Sequence, residues 1–325
     1  MNSSAGEVTS SPANPPRRAG RNRTLALSDE ICAELEKTLL RPVSKLSPAE
    51  AEDRLICGDT MSIAPLLPER FADLLILDPP YNLDKAFNGR KFSRLGDDAY
   101  LEYLESWIDP LIPALKPDAS VYLCGDWRSS GACLTALSRR FKVRNRIVWQ
   151  REKGRGAKSN WKNCTEDIWF ATVGDDYCFD VEKVKQLRRV LAPYRENGRP
   201  KDWNETAAGN FRLTCPSNFW DDLTVPFWSM PENTDHPTQK PEKLLAKLIL
   251  ASSPPGGMVL DPFMGSGTTP VVARKLGRHF CGIEIDRMYC CYAAARLRRA
   301  ESDPSIQGYR DGVFLERNCR FPGGE

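Results

Sequence analysis

Histidine is nearly absent from this 325-residue chain: only His236 and His279 occur, and neither lies near paired thiols. That argues against the common zinc arrangements, which need Cys and His ligands at short spacings, and no metal is expected. The 11 cysteines include no C-x-x-C pair, and Cys57, Cys124, Cys281, Cys290 and Cys291 sit inside apolar runs. Scattered in this way they read as reduced core residues and fit a reducing cytoplasm. No apolar stretch is long enough to span a bilayer, and the N-terminus has no apolar h-region of a secretory signal. There is no internal repeat. There is little net charge, +3, which decides nothing by itself; where the positive charge sits matters more.

What is present is a regular alternation of apolar strands and amphipathic helices. Strand patterns occur at 54–59, 72–77, 120–124, 146–149, 167–172, 258–261 and 279–284. Helical patterns occur at 98–115, 129–140, 242–252, 268–276 and 287–299. This order predicts an α/β fold, doubly wound, with a mostly parallel sheet and helices on both faces. Residues 1–27 begin with a Ser-, Pro-, Asn- and Arg-rich stretch that cannot offset its ordering entropy, so a disordered arm is expected. Residues 183–233 lose the periodicity and read as an irregular insertion.

The first sharp motif is Leu260-Asp-Pro-Phe-Met-Gly-Ser-Gly-Thr-Thr269, where a strand ends, a Gly-x-Gly turn follows and a helix opens. Gly265 and Gly267 let the backbone turn tightly and approach a ligand. The next strand ends in Glu284, with Asp286 two residues on, placed to accept hydrogen bonds from ribose hydroxyls. A P-loop would need a lysine that is missing, and a dinucleotide fold would want glycine or alanine where Pro270 stands. A purely structural turn is a further alternative. Asp261 beside the loop is awkward for phosphate but suits a cation such as the sulfonium of S-adenosylmethionine.

The second motif is Asp78-Pro79-Pro80-Tyr81, directly after a strand of continuous apolar residues. Two prolines fix φ and remove two N–H donors, leaving a stiff corner of carbonyls and one carboxylate. Such an acceptor-rich site suits an incoming –NH2 group: Asp78 can accept one N–H of adenine N6 and the Pro79 carbonyl the other. Tyr81 offers a flat face to an extruded base. A Pro-Pro turn capped by Asp is the alternative.

Together the two motifs resemble the DNA amino-methyltransferases. Their order, catalytic corner before glycine loop, is similar to the circularly permuted β group, with the nearest likeness to the RsrI-type adenine methyltransferases of GAATTC restriction–modification systems. The resemblance runs from about Arg54 to Leu297. It implies the S-adenosylmethionine-dependent methyltransferase fold, that cofactor (leaving as S-adenosylhomocysteine), and double-stranded DNA as partner. It also implies a bacterial cytoplasmic setting, pairing into a homodimer, and a cognate restriction endonuclease that shares the site. On the same basis Asp59 contacts the cofactor's adenine and Glu284 its ribose. His236-Pro-Thr-Gln-Lys-Pro241, with Thr238 and Lys240, matches the segment over the methionine end. Pro262, Phe263, Gly265, Ser266 and Thr268 line that pocket, and Asp at position 78 favours adenine over cytosine N4. Domain limits follow: 28–182 as the catalytic half, 183–233 as the candidate target-recognition region, 234–300 as the cofactor half and 301–325 as an extension.

Residues 139–158 carry nine Lys or Arg against the single acid Glu152, which marks Arg151, Lys153, Arg155 and Lys158 as expected phosphate contacts. A solvated surface run is the alternative. The rival functions are methylation of cytosine N4, RNA adenine or a protein amide, and, in another class, a catalytically idle DNA-binding module.

Overall fold

In the computed structural model, residues 20–87, 90–151, 158–190, 194–206 and 209–317 are described, without the side chains of 85–91. Ala72–Leu77 (β2) shows how the sheet arises: five apolar residues in six give a strand covered on both faces. Leu74 and Ile76 point into one core and Leu75 and Leu77 into the other. The lone polar residue, Asp73, accepts from Met258 N (2.7 Å) and pairs with Lys116 (2.7 Å), tying β2 to its neighbours.

The other strands of the main sheet are β1 (Arg54–Cys57), β3 (Leu115–Gly125), β4 (Lys142–Gln150), β5 (Thr165–Thr172), β6 (Phe219–Trp220), β7 (Met258–Asp261) and β8 (His279–Glu284). Their spatial order is β1-β8-β7-β2-β3-β5-β4-β6. β5 is antiparallel to both its neighbours, and every other pairing is parallel.

Helices α1 (Asp29–Glu36), α2 (Pro48–Ala51), α3 (Thr60–Ile63), α4 (Asp97–Leu111), α5 (Ser130–Ser138), α6 (Glu242–Ser252), α7 (Thr268–Lys275) and α8 (Arg287–Ser302) complete the layers. Leu35, Leu245, Val272 and Cys290 bring α1, α6, α7 and α8 onto one face. Trp107, Ile108, Cys133 and Leu137 bring α4 and α5 onto the other. The doubly wound expectation therefore holds. Among the described residues ten cysteines are free thiols, six of them buried. No helix among the described residues is long and apolar enough to cross a membrane.

Two segments depart from the sequence reading. The stretch 183–233 is not irregular throughout. Gln186–Arg189, Asn204–Thr206 and Gly209–Thr214 join Tyr309–Arg310 and Val313–Leu315 in a second, five-stranded sheet. The C-terminal extension is thus a structural part of the insertion, with Phe314 opposite Gln186. Residues 20–27 of the expected disordered arm lie along the body: Arg23 N donates to Trp228 O (2.7 Å) and Leu25 N to Asn233 O (2.9 Å). Leu25 is buried with Tyr289 and Tyr292 of α8, which supplies the apolar contact that composition alone did not reveal. Residues 1–19 lie outside the described residues.

Candidate active site

β2, β7 and β8 are adjacent and parallel, so Leu77, Asp261 and Glu284 finish at the same edge of the sheet. Ligands of open α/β sheets bind outside such carboxyl ends. A cavity of about 380 Å³ opens there, lined by Asp59, Asp78, Tyr81, Asp261 and Glu284 among others. The two motifs, far apart in the chain, thus share one cleft.

On the glycine-loop side the carboxylates are held in place by backbone amides. Glu284 accepts from Gly265 N (3.0 Å) and Asp286 N (2.7 Å). Asp261 accepts from Phe263 N (2.9 Å). Asp59 caps α3 through Met61 N (3.2 Å), and Asp286 caps α8 through Met288 N (2.8 Å) and Tyr289 N (3.1 Å). Burial pushes the Asp261 and Glu284 carboxyls up to about 7. Four acids in one cleft repel a phosphate and attract a cation.

The two glycines have different tasks. Gly265 lies at φ 53°, and a Cβ there would meet His236 Nε2 at 2.8 Å, so the loop backbone and the imidazole close on one another. His236 also packs edge-on to Tyr289 (4.4 Å) and accepts from Thr238 N (3.4 Å). Gly267, expected to face the cofactor, does not line the cavity: a Cβ there would meet Ala293 Cβ at 2.4 Å. Its missing side chain lets α7 start against α8. Pro262 accepts from the Thr60 hydroxyl, and Phe263 packs edge-on against Trp107 (4.8 Å). Ser266 is buried, and Arg296 Nη1 donates to its carbonyl (3.0 Å). Thr268 Oγ1 donates to the Lys240 carbonyl (3.2 Å), linking the loop to the 236–241 segment.

Opposite, the Asp78-Pro79-Pro80-Tyr81 corner is anchored from α4, where the Tyr100 hydroxyl donates to Pro80 O (3.1 Å). Lys240, which the resemblance places over the methionine end of the cofactor, lines the cleft and reaches the acceptor corner. Its ammonium donates to both Asp78 oxygens (2.6 and 2.7 Å) and to the Tyr81 hydroxyl (3.1 Å), and lies 3.5 Å from Glu166. Tyr81 in turn donates to Glu166 Oε2 (3.0 Å). Burial works against the charge on Lys240, but Asp78 and Glu166 outweigh it and hold it above the ordinary lysine value. Burial and the same two acids push the Tyr81 hydroxyl far above its usual range, so it stays protonated.

Glu166 was missed in the sequence, although an acid heading the otherwise apolar run Ile168–Thr172 is a detectable oddity. Arg151, expected on phosphate, is instead turned into the cleft and paired with Glu166. Lys153 and Arg155 lie outside the described residues, and Lys158 is exposed. The rest of the basic run is largely neutralised. Arg139 and Arg140 meet Glu105, Lys142 and Arg144 meet Asp175, and Arg146 meets Asp167. Among the described residues no cluster of three or more His, Cys, Asp or Glu could hold a metal.

The sheet order and a cleft joining a glycine turn to an acceptor corner define an α/β transferase of the methyltransferase type. Comparison with known proteins places it further: a family described as DNA methylase matches residues 72–295. The chain is 34% identical over 250 residues to the DNA adenine methyltransferase YhdJ of Escherichia coli K12, covering 75% of this chain and 82% of that protein. It is 31% identical to the type II methyltransferase M.HpaI of Haemophilus parainfluenzae, over 76% of this chain and 74% of the relative. Among solved structures, the cytosine-N4-specific PvuII DNA methyltransferase superposes with a TM-score of 0.57 at 18% identity, covering 79% of this chain and 88% of that one. The S-adenosylmethionine complex of M1.HpyAVI does so at 0.51 and 24%, covering 75% and 98%. The chain belongs to the N6/N4 DNA methylase family.

Proposed function

We propose that the chain is a site-specific adenine-N6 methyltransferase acting on double-stranded DNA within a restriction–modification system, with S-adenosylmethionine as cofactor. The observation that carries this reading is the meeting, in one cleft, of the proline-locked acceptor corner with a loop bordered by four carboxylates. The residues fit that cofactor: no lysine follows the glycine turn to meet a phosphate, and acids face a ligand whose charge is positive. When bound, it supplies an electrophilic methyl whose departure leaves a neutral thioether.

The chain's own residues do the rest. The extruded adenine brings an amine whose two hydrogens match Asp78 and the Pro79 carbonyl. Accepting both draws the nitrogen lone pair out of conjugation with the ring and aims it across the cleft. Tyr81 offers its face to the base while its hydroxyl is held by Glu166. To admit the amine, Lys240 releases at least one Asp78 oxygen, with Tyr81 and Glu166 already in place to keep it. The methylated amine, now positively charged and strongly acidic, loses its surplus proton to water. Positioning and electrostatics supply most of the acceleration, because the methyl is already activated.

Incubation of plasmid DNA with the protein and labelled cofactor, followed by mapping of the modified bases, tests the reading. N6-methyladenine at one fixed sequence, GAATTC by resemblance, is the expected product. N4-methylcytosine would overturn the adenine assignment, and unmodified DNA with no cofactor binding would indicate an idle DNA-binding module. Asp78→Ala is expected to abolish transfer and keep cofactor affinity; substantial turnover in that variant removes Asp78 from its role.

A further inference from the structure

Trp161 is the most exposed large aromatic among the described residues, at 94%. Trp107, Trp149, Trp203 and Trp220 are buried, as the size of the indole favours. Two other exposed aromatics have a cation over the ring: Arg128 lies over Trp127 (5.2 Å), and Lys201 over Tyr194 (5.6 Å). Among the described residues no cation lies over the Trp161 ring in this way.

Its location is informative. β4 and β5 are joined by the 151–164 connection, closed at its base by Arg151 N donating to Cys164 O (2.6 Å). Both strand ends at that base, Arg151 and Glu166, line the cleft. Trp161 stands five residues from Glu166, so at most about 18 Å of chain separates it from the cleft lining. Asn160 Oδ1 accepts from Trp161 N (2.7 Å), a local turn at the start of this segment. Lys158 and Lys162 flank it, both exposed, and no acid occurs from 158 to 165. A flat apolar ring between two cations, beside the cleft that receives the base, has the chemistry of a wedge: the ring stacks on bases and the cations meet phosphates.

We propose that Trp161 enters the duplex next to the target and stacks in the gap left by the extruded adenine. This rests on the base-extrusion reading above and goes further by naming the residue that compensates for the broken stack. Extrusion breaks pairing and stacking at once, and a wedge matters most where both must be broken.

The experiment uses the full chain and its Trp161→Ala and Trp161→Phe variants on two short duplexes containing the mapped site. In one the target is paired; in the other the opposite nucleotide is abasic, so no pair has to be broken. On the paired duplex, Trp161→Ala is expected to slow methylation by about ten-fold or more, the scale of removing one base–aromatic stack. The rise in 2-aminopurine fluorescence at the target should fall with it. Trp161→Phe should lie between. On the abasic duplex, where the target still leaves its stack but no pair is broken, the loss in Trp161→Ala should be several-fold smaller than on the paired one, with equal cofactor affinity in all three proteins. Equal losses on both duplexes, or no loss on the paired one, overturns the wedge. If the wild-type protein methylates neither duplex, the adenine-methylation reading itself falls and takes the wedge with it, a result distinct from any difference between variants.

Discussion

Burial in a half-closed cleft raises a carboxylate's proton affinity, and neighbouring carboxylates add to the effect. Asp261 and Glu284 both sit up to about 7 for this reason, with burial the larger cause in each. The sign of the pH dependence follows. Below about 4 both states of the chain hold these protons, but between there and 7 the unfolded chain has released them while the folded cleft has not. The groups therefore favour folding at low pH, and that contribution is lost as pH rises through 7. A cationic ligand reverses the preference, because it selects the ionised cleft and expels protons. Cofactor affinity should accordingly strengthen from about pH 5.5 to 7.5, by at most ten-fold per unit per group, and level off above. Calorimetry across that range, repeated in buffers of different ionisation enthalpy, reads both the affinity and the protons released. Glu284→Gln should weaken binding and remove about one proton from the count. An affinity flat with pH, with no proton release, would mean that these acids do not meet a cation.

At the scale of elements, the second sheet depends on a buried charge cluster. Asp222 accepts from Lys247 (2.6 and 2.7 Å) and pairs with Lys243 (2.6 Å), both on α6. Lys243 also donates to the Leu315 carbonyl, while Trp220 and Phe314 lie against the Lys247 ammonium (4.8 and 5.7 Å). Insertion, C-terminal strand and cofactor half are thus joined at one carboxylate. Asp222→Ala leaves two buried ammonium groups without their carboxylate and should cost about 3–5 kcal/mol in denaturant melts. A loss under about 1 kcal/mol would show that water reaches the cluster and carries its charge. None of this was legible in the sequence. β2 announces itself because both its faces are buried, and α6, at Glu242–Ser252, falls where its periodicity predicts. Gln186–Arg189 is Gln-Leu-Arg-Arg, half-exposed and short, and its partner Val313–Leu315 lies at the far end of the chain. Alternation that weak cannot be distinguished from a loop. In the site, the acids at strand ends were legible because strands end in sequence as they do in space. The Lys240–Asp78–Glu166 cluster joins three separate segments, so no local pattern encodes it.

For the whole molecule, the formal charge of +3 overstates how little attraction DNA would feel and the basic run at 139–158 overstates how much. Folding pairs Arg139, Arg140, Lys142, Arg144 and Arg146 with acids from α4, β5 and the turn after β5. Arg151 is committed to Glu166 inside the cleft. Cations already matched to carboxylates release few counterions on meeting a phosphate, so they contribute little to the salt dependence of binding. The contribution should instead come from exposed cations such as Lys158 and Lys162 on the connection between β4 and β5. Each phosphate left without its cation lowers the magnitude of the slope of log K against log salt by about 0.9. Replacing both lysines with alanine should therefore flatten the slope by nearly two while leaving cofactor affinity unchanged. Arg139→Ala should leave the slope where it was, because it exchanges an ion pair with Glu105 for nothing on the DNA. Fluorescence anisotropy with a labelled duplex at four or more salt concentrations gives these slopes directly. If the slope follows Arg139 and ignores the two lysines, the phosphate track lies across the α4–α5 face, and the route of the DNA past the cleft has to be redrawn.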